Sequence, residues 1–246
     1  MNFGLRGWPG GGAAHVQDTS GTLLPNTVAG LIAWYAADRI TGVANNAQFQ
    51  TWSDLSGLAN DLTQPTTGNR PRYLASSING RPAVSFDGAT SVINFPVAFS
   101  AGTNNTLFYV IQPSSASPAA LLDSIPGQAN IYRNTPAGSW EWWNASPVWL
   151  LGLSGAIPVS FCLTATLAPS RQVLYERNNT LISTNTHSST TAMAWGSAVI
   201  GNTNGTAPWY SGTIGELAIY NRALTATERT QIAQYLASKW AIPLNS

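Results

Sequence analysis

A chain of 246 residues is long enough for one large β domain. Only 9% of it is Asp, Glu, Lys or Arg, with a net charge of +1, against a usual charged share of about 25%. That balance leaves no basic footprint for nucleic acid. One cysteine, Cys162, rules out an internal disulfide, and no window approaches the roughly 18 apolar residues of a membrane helix. Polarity comes instead from Asn, Thr, Ser and Gln. Such a surface suits neutral partners such as sugars or close packing in an assembly, and an Asn/Thr-rich habit of β proteins explains it equally well.

Residues 1–27 differ from the rest. Pro9 and Gly10-Gly11-Gly12 cannot hold a helix or strand, and no Gly-Lys-Ser/Thr follows to make a phosphate loop. Yet Phe3, Leu5, Trp8, Val16, Leu23 and Leu24 are spaced along this stretch. A plain spacer would be Gly/Ser-rich with few such residues. The expectation is an extended, glycine-rich arm whose apolar anchors lie on a partner. The start of the chain lacks the apolar core of a signal peptide, which places the protein in the cytoplasm unless it leaves by another route or by cell lysis.

From residue 28 to 246 the pattern is one of short strands divided by turn signals. Leu31–Ala36 is compact and apolar. Pro82–Asp87 alternates, with Val84 and Phe86 opposing Ser85 and Asp87. Leu107–Gln112 is apolar on both faces, as a central strand is. Gln172–Glu176 and Leu181–Thr184 flank a predicted hairpin turn at Arg177-Asn178-Asn179-Thr180. Val199–Gly201 and Thr213–Asn221 complete the set. One helix is signalled by the capping box Thr225-Ala226-Thr227-Glu228, with Ile232, Tyr235, Leu236 and Trp240 on one face and Pro243 at its end. The predicted class is all-β, a two-sheet antiparallel sandwich with one short C-terminal helix.

Particular segments also carry a family resemblance. Leu31-Ile32-Ala33-Trp34-Tyr35-Ala36-Ala37-Asp38, then Trp52-Ser53-Asp54-Leu55-Ser56-Gly57-Leu58-Ala59-Asn60, resemble the opening of concanavalin A-like lectin/glucanase (LamG-like) domains. Asn79–Gly88 and the closing Gly215-Glu216-Leu217-Ala218-Ile219-Tyr220-Asn221-Arg222-Ala223-Leu224-Thr225 continue the likeness, which spans about residues 28–242. It implies a concanavalin A-like jelly roll. Most of these residues read as structural. Gly57 and Gly88 suit turns; Asp54, Ser56 and Asn60 suit loop hydrogen bonds; Arg222 and Glu216 are placed to pair beside the last strand. Many relatives bind calcium at a sheet rim, with Asp54, Asn60 and Asp61 the nearest oxygen cluster here. A hydrogen-bonded loop is the preferred reading, and no cofactor or metal is expected.

Catalytic chemistry finds little support. Glycoside hydrolysis needs two carboxylates flanking the bond, and Glu141, Glu176, Glu216 and Glu228 each stand without another acid within four residues. Gly152-Leu153-Ser154-Gly155-Ala156 lacks the final glycine of a nucleophile elbow. Two histidines, His15 and His187, and one cysteine offer no zinc pattern. The strongest ligand signal is aromatic: Trp140, Trp142, Trp143 and Trp149 lie within ten positions, with Glu141 and Asn144 between them, and Trp209-Tyr210 precede the last strand. Indole faces stack on sugar C–H faces, while amides bind hydroxyls. Large core or interface residues are the alternative. In a strand, Trp140 and Trp142 share one face and Trp143 takes the other.

The function expected from these features is a non-enzymatic phage virion protein of the capsid or tail, assembled in the host cytoplasm. Its arm meets other virion proteins or sister subunits in a homo-oligomer, and its lectin-like domain presents Trp140, Trp142, Trp143, Asn144, Trp149, Trp209 and Tyr210 to surface glycans. The alternative is a secreted or surface carbohydrate-binding adhesion module.

Overall fold

In the computed structural model the described residues are 24–102, 104–114, 119–124, 130–133, 140–143, 147–148, 161–167, 172–186, 195, 197–202 and 209–244. Residues 119, 130–133, 140–143, 147–148, 161–167, 175, 183 and 185 are described by their backbone alone. The strands, in chain order, are β1 (Leu31–Ala36), β2 (Thr51–Trp52), β3 (Leu62–Thr63), β4 (Arg72–Ile78), β5 (Arg81–Asp87), β6 (Ile93–Asn94), β7 (Asn105–Pro113) and β8 (Ala119–Asp123). They continue as β9 (Asn130–Arg133), β10 (Trp140–Trp143), β11 (Pro147–Val148), β12 (Phe161–Leu167), β13 (Gln172–Arg177), β14 (Thr180–Thr186), β15 (Val199–Ile200) and β16 (Ser211–Tyr220). The helix α1 is Ala226–Trp240.

These strands form two sheets of eight, paired antiparallel throughout. The first runs β14-β13-β12-β7-β16-β5-β4, with β1 also on β16. The second runs β11-β10-β9-β8-β15-β6-β3-β2. Aromatic contacts lock their facing sides: Tyr35 of β1 meets Trp52 of β2 at 5.8 Å and Phe95 at 6.0 Å, and Phe95 continues to Phe99 and Trp195. The expected two-sheet sandwich with a C-terminal helix is therefore the observed fold.

Strand burial follows from position. β7 lies between β12 and β16 and is buried over nearly its whole length; a layer covers each of its faces, so both must be apolar. β4, at the sheet edge, is mostly exposed or half-buried. Two hairpins turn on consecutive left-handed residues, Asn79-Gly80 between β4 and β5 and Asn178-Asn179 between β13 and β14. This backbone matches the twist of the flanking strands and favours Asn and Gly.

β16 organises the first sheet. One edge pairs with β7 throughout; the other is shared, Ser211–Ile214 with β5 and Glu216–Tyr220 with β1. The register on β7 slips between Ile214 and Glu216, leaving Gly215 as a bulge. A Cβ at Gly215 would lie 2.8 Å from the Trp240 ring, so only glycine lets α1 sit this close. The helix has its predicted capping box, and Ile232, Tyr235, Leu236 and Trp240 are buried. It ends at Ala241, in the left-handed conformation, before Pro243 is reached; Asn79 Nδ2 donates to the Trp240 and Ala241 carbonyls at 2.9 and 3.0 Å.

Leu24–Thr27, read from sequence as the end of the arm, pack on the sandwich. Leu24 lies against the core, and the buried Pro25 carbonyl accepts from Tyr220 Oη at 2.9 Å. The arm anchors Phe3, Leu5, Trp8, Val16 and Leu23 lie outside the described residues.

Candidate functional site

The residues expected to bind a ligand divide into three groups. Asn144 and Trp149 lie outside the described residues. Trp140, Trp142 and Trp143 lie on β10, one strand in from the β11 edge of the second sheet. Trp142 pairs with Ile131 on one side and Val148 on the other. Strand alternation sets positions 140 and 142 on one face and 141 and 143 on the other.

Trp209 is half-buried and forms an isolated parallel bridge with Ala120 of β8. Ala120 pairs with Tyr132, and Tyr132 with Glu141. Trp209 thus shares a row with position 141, three strand spacings or about 14 Å away, on the face opposite positions 140 and 142. The expectation that Trp209 joins the whole aromatic cluster is corrected to this narrower placement.

Tyr210 requires a plainer correction. It is fully buried, packs edge-on against Phe86 at 5.9 Å and donates its hydroxyl to the Thr213 carbonyl at 3.1 Å. Adjacent strand residues face opposite ways, so two neighbouring aromatics cannot both serve one surface. Tyr210 belongs to the core.

The carboxylates are held in structural roles. Asp54 accepts from the backbone N–H groups of Trp34, Ser56 and Asn60 and from Ser56 Oγ, at 2.6–3.0 Å. Asp61 accepts from Asp54 N, and Asn60 Nδ2 donates to the Ile32 carbonyl. The loop closes on itself as a hydrogen-bonded unit, which is the reading preferred over calcium. Among the described residues no group of three or more His, Cys, Asp and Glu is gathered as metal ligands would be. Asp87 caps the next turn by accepting from Ala89, Thr90 and Ser91 N–H groups. Burial alone would raise its pKa, but these bonds and that from Thr90 Oγ1 more than reverse it, holding the carboxyl below the usual range.

Glu216 was expected beside Arg222, and the structure separates them. Arg222 makes a bidentate pair with Glu228 at 2.9 and 2.6 Å and donates to the Ala29 carbonyl. The Arg222 hydrogen bonds hold Glu228 at about 2. Glu216, fully buried, instead turns under α1. Its Oε1 accepts from Trp34 Nε1 at 2.6 Å and Tyr235 Oη at 3.0 Å; its Oε2 accepts from Trp240 Nε1 at 2.6 Å and faces Lys239 Nζ at 2.9 Å. Lys239 also pairs with Asp38 at 2.9 Å. Burial, then the neighbouring Glu216 charge, pushes the Tyr235 phenol far above its ordinary pKa, so it remains a donor. The resemblance segment contained this site, but its donors lie 19–182 residues away in sequence. The hint was Tyr235, Lys239 and Trp240 recurring along one helix face.

A shallow cleft of about 160 Å³ lies over the β5-β16-β7 centre, lined by Ser85, Phe86, Gln112, Ser114, Gly212 and Thr213. Thr213 pairs with Ser85 on one side and Gln112 on the other, giving an uncharged polar row across three strands. Gln112 and Val110, the partners of Thr213 and Glu216, lie two residues apart on β7, so the row faces the same way as Glu216, beside α1.

No protein-family model matches the chain, and no curated protein is similar to it in sequence. Solved structures do share its fold. Domain 4 of AbnA, a GH43 extracellular arabinanase from Geobacillus stearothermophilus solved in complex with arabinotriose, has a TM-score of 0.63 at 18% identity, covering 83% of this chain and 98% of that domain. The binding domain of Paraclostridial Mosquitocidal Protein 1 has 0.63 at 12%, covering 84% and 52%. Trypanosoma rangeli sialidase in complex with sialic acid has 0.59 at 20%, covering 86% of this chain and 33% of the sialidase, so this chain spans a third of that one. At these identities the likeness establishes a shared β-sandwich fold.

Proposed function

We propose that this chain is a non-enzymatic, carbohydrate-binding β-sandwich module. The observation that carries the reading is the likeness to nearly the whole of arabinanase domain 4, a domain solved with arabinotriose. Uncharged hydrogen-bonding surface, such as the Ser85–Thr213–Gln112 row, supports a neutral ligand. Five of the described acids support a binding role rather than hydrolysis: Asp54, Asp87, Glu176, Glu216 and Glu228 are each engaged by backbone or basic partners. The stacking residue we assign on β10 is Trp143, which strand alternation sets on the face of Trp209, whereas position 142 falls in the row of the core residues Leu122 and Ile200.

The test is a glycan array that includes arabino-oligosaccharides. Binding is expected, and Trp143→Ala is expected to weaken it at least tenfold while the circular dichroism spectrum stays unchanged. A blank array, or release of reducing sugar from any bound polysaccharide, refutes the reading.

The finer proposal is that the module is displayed on a phage particle, anchored by residues 1–23. Its support is the glycine-rich arm with Phe3, Leu5, Trp8, Val16 and Leu23. Deleting residues 2–23 is expected to abolish incorporation into particles; full incorporation of the truncated chain refutes the anchor.

A further inference from the structure

The hairpin between β4 and β5 turns on Asn79-Gly80, both exposed and both at positive φ, 49° and 77°. The Asn79 side chain is also a clamp on the end of α1, since its amide donates to the Trp240 and Ala241 carbonyls. The last carbonyls of a helix have no partner within it, so these two take theirs from a turn 161 and 162 residues away in sequence. Trp240 itself is fully buried, gives its indole N–H to Glu216 and packs on Gly215. The clamp therefore guards the seat of the helix.

The same dipeptide carries a chemistry of its own. Asparagine amides are among the thermolabile groups of proteins, and glycine, without a Cβ, leaves its backbone nitrogen unshielded. Even a Cβ built on Gly80 would meet nothing within 4 Å, so the turn is open on that side. The Gly80 N–H donates to the Ser77 carbonyl over a long 3.4 Å, which restrains it weakly.

We propose that Asn79 is a site of spontaneous deamidation and that the reaction permanently unfastens α1. When the clamp opens, the Gly80 nitrogen attacks Asn79 Cγ and loses its proton. The new C–N bond closes a succinimide, the Cγ–Nδ2 bond breaks, and ammonia departs with that proton. Water then opens the ring at one of its two carbonyls, leaving either aspartate or an isoaspartyl linkage. Neither product retains the amide N–H groups that held Trp240 and Ala241. Each places a carboxylate at the negative end of the helix dipole, so the clamp cannot re-form. The isoaspartyl form also adds a methylene to the main chain of a turn whose length fixes the β4–β5 register. The inference holds whatever the module binds.

The second hairpin provides an internal comparison, because Asn179 is followed by Thr180, whose branched Cβ crowds the nitrogen. The test holds the folded full chain in mildly alkaline buffer and maps its peptides by mass spectrometry, which separates Asn79 from Asn204, the other asparagine followed by glycine. Conversion at Asn79 is expected to run at least tenfold faster than at Asn179, with isoaspartate among the products. Amide hydrogen exchange then reads the helix. In the aged chain, and in Asn79→Asp, the last turn of α1 is expected to exchange at least tenfold faster than in the fresh chain, while the β7 amides keep their protection. Asn79→Asp is placed at an exposed turn position whose backbone conformation aspartate tolerates, and it isolates this site from other chemical damage. Equal conversion at Asn79 and Asn179, or undiminished protection of the last turn in either altered chain, overturns the proposal.

Discussion

Glu216 and Asp54 are both carboxylates saturated with hydrogen bonds, and both bond Trp34: one takes its indole, the other its backbone N–H. They differ in where the remaining donors originate. Asp54 collects from Ser56 and Asn60, within six residues, and shapes a rim loop. Glu216 collects from Tyr235, Lys239 and Trp240 and so ties a helix and two strands together, with no exposure to solvent. The same chemical group serves as a local turn-former in one region and as a keystone in the other. In a chain with ten acids, this allocation leaves carboxylates for architecture first.

The contrast can be broken most forcefully at Glu216. Glu216→Ala strands three buried donors without their acceptor and leaves Lys239 with Asp38 as its remaining acid, so a loss of about 3–5 kcal/mol is expected, read as a fall in Tm of roughly 10 °C. A fall no larger than that of Asp54→Ala erases the distinction. Asp54→Ala comes next, with about 1–3 kcal/mol lost. Its effect should be local: hydrogen exchange is expected to quicken at Ser56 and Asn60 while the β7 and β16 amides keep their protection. The smallest effect concerns pH. Glu228 titrates at about 2 in the fold against an ordinary 4.5, so its contribution is complete above 4.5 and is lost as pH falls through 2. Asp87, also held low, acts in the same direction. Urea midpoints measured across that window should decline, and Glu228→Gln should flatten part of the decline.

Much of the fold was legible because local signals agreed with the final structure. The Asn178-Asn179 turn, the Thr225–Glu228 capping box and the doubly apolar β7 each follow from short-range chemistry. The two-residue strands β2, β3 and β6 carry no periodicity to detect; they exist because neighbouring strands hold them. The Glu216 partnership was hidden because its donors, Trp34, Tyr235 and Trp240, are remote in sequence, while the nearer Arg222 is taken by Glu228. Tyr210 was misassigned because an aromatic pair in sequence carries no sign of which member faces inward. No strand was expected at the tryptophan cluster, where the sequence reading went no further than what alternation would do in one; positions 140–143 form β10, and the register narrows which partners can share its faces.

The shared edge of β16 has a consequence for biosynthesis. The strand that fills the centre of the first sheet, at residues 211–220, is made long after its neighbours β1, β5 and β7. Until residues 211–220 leave the ribosome, those neighbours have a gap where their common partner belongs, and their unpaired edges stand open to mispairing. Completion of the sheet must therefore wait for β16, at the slow pace typical of pairings between distant segments.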